Sequence, residues 1–167
     1  DIEDAEVVMI GLGSVTDDVR AVLPYLRSQG IKAGLIAVKL LQPFPEAEIM
    51  EALAGKKAVT VLERSDQTAL TAMVTRAMFK ARENAVSPER HPGIPAVDRS
   101  PQLTTAIFGL GGHDLQPRHL VAAFKHMLEP DASPLVYLGS QFFSDNPSEL
   151  LAGLQDRLRA AYPETQL

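Results

Sequence analysis

The chain has 167 residues, 46% of them hydrophobic and 22% charged, enough apolar mass for a real core and too much for wholesale disorder. Lys and Arg number 16 against 21 Asp and Glu, a formal net charge of -5, and aromatics are only 5%, which disfavours nucleic acid and anionic membranes as partners. Cysteine is absent, which excludes disulfides, thiolate nucleophiles, cysteine-ligated zinc and iron–sulfur ligation by these residues.

Glu6 to Ile10 is a short β-rich run ended by Gly11. From Ser14 the period changes, and Val15, Val19, Val22, Leu23 and Leu26 fall on one helical face. Ser14 and Asp17 have the spacing of a capping box, and Gly30 closes the helix. Lys32 to Leu41 reads as a second strand, apolar almost without interruption, as a strand covered by helices on both faces should be. Pro43-Phe44-Pro45 breaks the chain, and Pro45 opens a short helix carrying Ile49, Met50 and Leu53. Lys57 to Glu63 is a third strand. A helix over Thr68 to Asn84 follows, with Leu70, Met73, Val74, Ala77, Met78 and Ala81 on its face.

Residues 84–102, with four prolines and few apolar residues, read as a long surface loop, unusual within a compact domain. Leu103 to Phe108 resumes as a strand that ends in Gly109-Leu110-Gly111-Gly112. Pro117 opens a helix with Leu120, Val121, Phe124 and Leu128 inward. Leu135 to Leu138 is a last strand. Asn146-Pro147-Ser148-Glu149 starts a last helix, amphipathic through Leu150, Leu151, Leu154 and Leu158, with Asp156, Arg157 and Arg159 on a solvated face. The alternation predicts a three-layer α/β/α sandwich around a mainly parallel sheet of about five strands, with residues 1–167 forming a single domain.

No apolar run approaches the ~20 residues of a membrane span, and the acidic start Asp1-Ile2-Glu3-Asp4 is unlike a signal peptide. The expectation is a segment of a longer polypeptide, located in the cytoplasm.

Residues that could carry chemistry are few. Gly11-Leu12-Gly13-Ser14 lies where a dinucleotide fingerprint would, but Thr16 stands at the third glycine position, so a tight strand-to-helix turn is the simpler reading. An anion at that helix start is the alternative. Gly109-Leu110-Gly111-Gly112-His113-Asp114 is neither a Walker A motif nor a nucleophile elbow, and reads as a structural or contact loop. His113 and Asp114 are adjacent, a poor arrangement for an acid/base pair. His91, His113, His119 and His126 lack helical zinc spacing and read as solvated surface histidines. Glu63-Arg64-Ser65-Asp66 ends a strand where α/β proteins place ligands, and reads equally as part of a site or as a capping turn with Asp66 or Thr68 as the cap.

Four segments in order carry a family resemblance: Val7 to Ser14, Gly34 to Pro45 with its Val38-Lys39-Leu40-Leu41-Gln42-Pro43-Phe44 exit, Val59 to Ser65, and Phe108 to Pro117. Together they resemble the transketolase C-terminal-like domain, in particular domain II of pyruvate:ferredoxin (flavodoxin) oxidoreductases. The match runs from about Glu6 to Leu128. It departs from the family in the length of the 84–102 loop and in His113, where a lysine is usual.

The resemblance implies a structural and assembly domain of a thiamine-diphosphate-dependent 2-oxoacid:ferredoxin oxidoreductase, an enzyme that oxidatively decarboxylates a 2-oxoacid such as pyruvate to an acyl-CoA. It implies that the parent uses thiamine diphosphate, Mg, iron–sulfur clusters and coenzyme A, held mainly by other domains, with none bound by this segment alone. Partners would be other domains or subunits of the parent, further copies in a homo-oligomer, and ferredoxin or flavodoxin. No catalytic, cofactor or metal residue is carried over. Gly11, Gly13, Ser14, Pro43, Phe44, Glu63, Arg64, Gly109, Gly111, Gly112, His113 and Asp114 are candidates for turns and interdomain contacts. A free-standing nucleotide- or anion-binding module, and the equivalent domain of a transketolase or 2-oxoacid dehydrogenase, are the alternatives. The first would want an acidic residue ending the second strand, which ends instead in Lys39-Leu40-Leu41-Gln42-Pro43.

Overall fold

A computed structural model describes residues 2–139 together with Gly153, Asp156, Arg157 and Ala160. The elements are β1 (Val7–Leu12), α1 (Val15–Ser28), β2 (Ala33–Val38), α2 (Glu46–Leu53), β3 (Ala58–Glu63), α3 (Ala69–Val86), β4 (Gln102–Phe108), α4 (Pro117–His126) and β5 (Leu135–Leu138). The five strands form one sheet in the order β2-β1-β3-β4-β5, and every neighbouring pair is parallel. The leucines of the expected last helix (Leu150, Leu151, Leu154, Leu158) and Arg159 lie outside the described residues. Asp156 and Arg157 are exposed, and Arg157 reaches Glu129 at 3.1 Å.

Apolar strands make this sheet a two-sided core. Val7, Met9, Ala33, Ala58, Leu62, Ala106 and Leu138 face one way, against α1 and α4. Val8, Ile10, Val38, Val59 and Val61 face the other way, against α2 and α3. The result is the expected three-layer sandwich. No helix among the described residues is long and apolar enough to cross a membrane.

Several local expectations are corrected. The run Lys32–Leu41 contributes only Ala33–Val38 to the sheet, since its last residues leave toward the Gln42–Pro43 bond, which is cis. Ser14 precedes α1 but caps nothing with its side chain. The Thr16 hydroxyl instead donates to the Gly13 carbonyl at 2.7 Å, and Asp17 pairs with Arg20. Gly30 does close the helix, with φ +80° and its N–H on the Arg27 carbonyl. Leu128 is 52% exposed rather than inward. Met127, on the helix face of Leu120, Ala123 and Phe124, takes the core position, and past it Leu128 and Glu129 bond three residues back as the chain tightens.

The 84–102 stretch is more than a surface excursion. Residues 84–86 belong to α3. The buried Asn84 donates to the His91 and Ile94 carbonyls (2.9 and 2.7 Å) and accepts the His91 N–H (2.8 Å). Val97 is buried and bonds back to the Ala81 carbonyl. One side chain with three hydrogen bonds therefore holds the loop against α3, a job that no prolines-and-polars reading foretells. Asn84→Ala should cost on the order of 2–3 kcal/mol and open the loop to proteases, as denaturant titration and limited digestion would show.

The centre of the sheet carries one discord. Thr60 is fully buried in β3 and its hydroxyl has no hydrogen-bond partner among the described residues, although Thr104 beside it in register reaches the Ser133 carbonyl at 3.3 Å. An orphaned buried hydroxyl is costly, and valine has nearly the same shape. Thr60→Val should raise stability by about 1 kcal/mol; a loss of stability in denaturant titration would contradict the orphan assignment.

Candidate functional site

In a parallel sheet the carboxyl ends of the strands share one edge, and the candidate residues follow from that. Gly13 and Ser14 follow β1, Pro43 and Phe44 follow β2, Glu63 and Arg64 end β3, and Gly109 to Asp114 follow β4. All twelve candidates are thus gathered at one edge of the sheet. The order β2-β1-β3 places the topological switch point between the β1 and β3 exits, where open α/β sheets bind ligands.

The polar groups nearest that point are turned inward. A side chain on Gly11 would put its Cβ 3.2 Å from Val15 and 3.4 Å from Thr16, so glycine there lets α1 start hard against β1. Glu63 is 7% exposed, and its carboxylate accepts the Thr71 N–H at 2.6 Å. It caps the first turn of α3 from the preceding strand, so neither Asp66 nor Thr68 is the side-chain cap; Thr68 itself takes a left-handed backbone with φ +48°. Gly11 and Glu63, two motif residues, therefore set the starts of two helices.

The outward part of the edge is exposed: Leu12, Gly13, Ser14, Leu40, Leu41, Pro43, Arg64, Gly111, Gly112, His113 and Asp114. Arg64 lies along Gly109, whose Cβ would stand 3.6 Å from it. The His113 ring folds back toward Gly111, and no hydrogen bond joins His113 to Asp114 among the described residues. Among those residues no three potential ligands converge to hold a metal. The donor set does not fit the groups implied for the parent enzyme. A cluster needs thiolates, which the chain lacks, and a Mg–diphosphate needs converging carboxylates, whereas Glu63 is committed to α3.

Two of the histidines expected on the surface are buried, His119 at 8% exposed and His126 at 7%. His126 reaches the Ser133 carbonyl at 3.2 Å. His119 Nδ1 accepts the Gln116 N–H at 3.1 Å, satisfying a donor at the start of α4, and the Arg118 Nε–H points at Nε2 from 3.4 Å. Gly139, after β5, packs on this ring: a Cβ there would lie 2.9 Å from His119 Cε1 and 3.3 Å from the Asp114 carbonyl. One imidazole thereby ties the β4–α4 loop to the β5 exit. Only the pairing of Gln116 with a polar residue three positions on hinted at it in the sequence.

The class of protein is therefore a doubly wound, all-parallel α/β domain whose motif residues build and display one loop edge. Residues 5–120 match the family model for pyruvate:ferredoxin oxidoreductase core domain II. The chain belongs to that family. It is 32% identical over 140 residues to the pyruvate synthase subunit PorA of Thermotoga maritima, covering 83% of this chain and 33% of the relative. It is 30% identical to the protein of the same name from Methanothermobacter thermautotrophicus, over 78% of this chain and 30% of the relative. The ketoisovalerate oxidoreductase subunit VorA of Pyrococcus horikoshii is 29% identical over 75% of this chain and 29% of its own length. The chain spans about a third of the length of these curated relatives.

Burial, with the neighbouring Arg118 charge adding to it, lowers the His119 pKa from 6.5 to about 4. The unfolded chain therefore takes up this proton first as pH falls. The stabilisation from neutral His119 is complete above pH 6.5 and is lost as pH falls through about 4. Its size is on the order of 3 kcal/mol. Denaturant titrations across that window should show stability dropping with acid, and His119→Gln, which keeps an acceptor but cannot titrate, should flatten that part of the slope.

Proposed function

We propose that this chain is a single assembly domain of a thiamine-diphosphate-dependent 2-oxoacid:ferredoxin (flavodoxin) oxidoreductase, working in the cytoplasm. The parent enzyme oxidatively decarboxylates a 2-oxoacid such as pyruvate to an acyl-CoA. Thiamine diphosphate, Mg, iron–sulfur clusters and coenzyme A belong to its other domains or subunits, and ferredoxin or flavodoxin accepts the electrons. Support comes from relatives named as pyruvate synthase and ketoisovalerate oxidoreductase subunits, of whose length the match covers about a third.

The observation that carries the assembly role is the composition of the loop edge. Leu12 (43% exposed), Leu40 (52%) and Leu41 (36%) stand together at the exits of the paired strands β1 and β2. Along the same edge, Gly13 after β1 and Gly112 after β4 have left-handed backbones and open space where a Cβ would be. Exposed leucines gain from being covered, and glycines allow another backbone to come close. The twelve motif residues act here as loop formers and contacts, with Gly11 and Glu63 holding the loops from behind. In a homo-oligomer the same edge faces neighbouring domains of its own or a second protomer.

Two measurements test the reading. The chain alone should bind neither thiamine diphosphate nor coenzyme A at micromolar concentrations in calorimetry, and NAD, FMN or ATP should not shift its melting; tight binding of any of them would favour the nucleotide-module alternative. Leu12→Asp and Leu40→Asp should leave the chain's own melting temperature unchanged while weakening its association with the rest of the enzyme at least about tenfold.

A further inference from the structure

α3 buries Leu70, Val74, Ala77, Met78, Ala81 and Asn84 on one face. On the opposite face Ala72, Thr75, Arg76, Phe79, Arg82 and Val86 are exposed. Phe79 (61% exposed) and Val86 (84%) are the two most exposed large apolar side chains among the described residues, and they stand two turns apart on that face. Ala72, Thr75, Phe79, Arg82 and Val86 follow one another in steps of three and four, the spacing of a helix-packing seam. The helix leaves the β3 exit and returns toward the start of β4, so Phe79 and Val86 lie on its half away from the loop edge.

Between these two side chains opens a cleft of about 310 Å³, lined by Phe79, Arg82, Glu83, Val86, Ser87 and Arg90. Its first four lining residues are i, i+3, i+4 and i+7, the set that surrounds an inserted side chain when one helix packs on another. The wall beyond them is held in place. Glu83 meets Arg90 at 3.2 Å and His91 at 2.6 Å, and Asn84 bonds the turn that follows. Charge on this face is mixed. Arg82 has no hydrogen-bond or ionic partner among the described residues, and Arg76, joined to Glu46 at 2.8 Å, stays exposed.

We infer that a second copy of this chain docks on this face, α3 antiparallel to α3 about a two-fold axis, with Phe79 of each copy entering the Phe79–Arg82–Glu83–Val86 hole of the other. In that register Phe79 faces Arg82 and Thr75 faces Val86, and symmetry makes each contact twice. The unpartnered guanidinium gains an aromatic face, and the exposed ring gains cover. On the flank of the seam, Arg76 comes within a turn of Glu83 of the second copy. A parallel pair fits worse, since it sets Arg82 against Arg82 and Glu83 against Glu83. A foreign acidic helix suits Arg82 but brings its own charge against Glu83, whereas a second copy answers both. α3 has 18 residues, about 27 Å, so a contact confined to it lies at the small end of specific interfaces and the pairing of the chain alone is weak. The inference goes beyond the assembly reading above, since the contact lies apart from the loop edge and needs no other part of the parent enzyme.

Sedimentation and cross-linking of the 167-residue chain test it. The chain should dimerise reversibly between micromolar and millimolar concentrations. Phe79→Ala should weaken the dimer at least about tenfold, and Arg82→Glu at least about threefold. Both side chains are exposed in the single chain, so neither variant should change its melting in dilute solution. Because the sequence has no cysteine, introduced cysteines report the register. A mixture of Thr75→Cys and Val86→Cys chains should oxidise mainly to the disulfide that joins the two different chains, and either variant alone should cross-link little. A monomer at every concentration overturns the pair and leaves the loop-edge role standing. A dimer that Phe79→Ala does not weaken overturns it in favour of another surface. Cross-linking of Thr75→Cys or Val86→Cys to itself as fast as to the other overturns the antiparallel register and the inference with it.

Discussion

The structure depends on the parallel direction of its five strands. Parallel strands need crossovers, and the crossovers here are helices that bury both faces of the sheet, so every strand must be apolar on both sides. The same constraint sends every strand exit to one edge. That geometry brings residues as far apart in sequence as Gly13, Pro43, Arg64 and Gly112 to the same edge. Register follows from the same rule, since Val7 pairs with both Ala33 and Ala58, and Ala58 with Gln102.

What the sequence revealed and what it hid divide along physical lines. Strands and helices were legible because burial on two faces leaves near-continuous apolar runs, and burial on one face leaves a 3.6-residue stripe. Val19, Val22 and Leu26, or Ile49, Met50 and Leu53, could hardly be read otherwise. Caps were not legible, because the acceptor can come from another element. Glu63 at the end of β3 serves α3, so the local candidates Asp66 and Thr68 were false leads. Ser14 failed for a different reason: its backbone is already helical (φ -61°, ψ -28°), and the Asp17 N–H bonds to its carbonyl rather than to its side chain. The buried histidines were hidden because polarity alone suggests solvent, and only tertiary contact (Gly139 against His119, Ser133 against His126) explains their burial. The gathering of the twelve candidates followed from topology and was foreseeable; the exposure of Leu12 and Leu40 beside them was not.

The edge combines rigid supports with loops that present little side chain. Gly11 and Glu63 set the helix starts, and His119 with Gly139 pins the β4–α4 loop to the β5 exit. Between these supports stand Gly109, Gly111 and Gly112, all with left-handed backbones. A loop fixed at its base but bare at its tip suits close backbone contact with a neighbour: it has few side chains to immobilise or to clash.

A fold does not dictate a function, and in this sheet order the β1–β3 switch point is an inviting place for a small ligand. The residues there argue for a different use. A ligand crevice needs polar groups that remain available after folding. Here the Glu63 carboxylate is spent on α3 and the Thr16 hydroxyl on Gly13, and the position of the crevice wall is filled by the contact of Gly11 with Val15 and Leu62. What remains outward is mostly leucine, glycine and proline, with Ser14, Arg64, an unpaired His113 and Asp114 among the described residues and, past the β2 exit, Lys39. Leucine and glycine bind by being covered, and their favourable partner is an extended protein surface. On the assembly reading proposed above, Arg64 and Lys39 would select that surface, because covering a cation without a carboxylate costs more than leaving it in water.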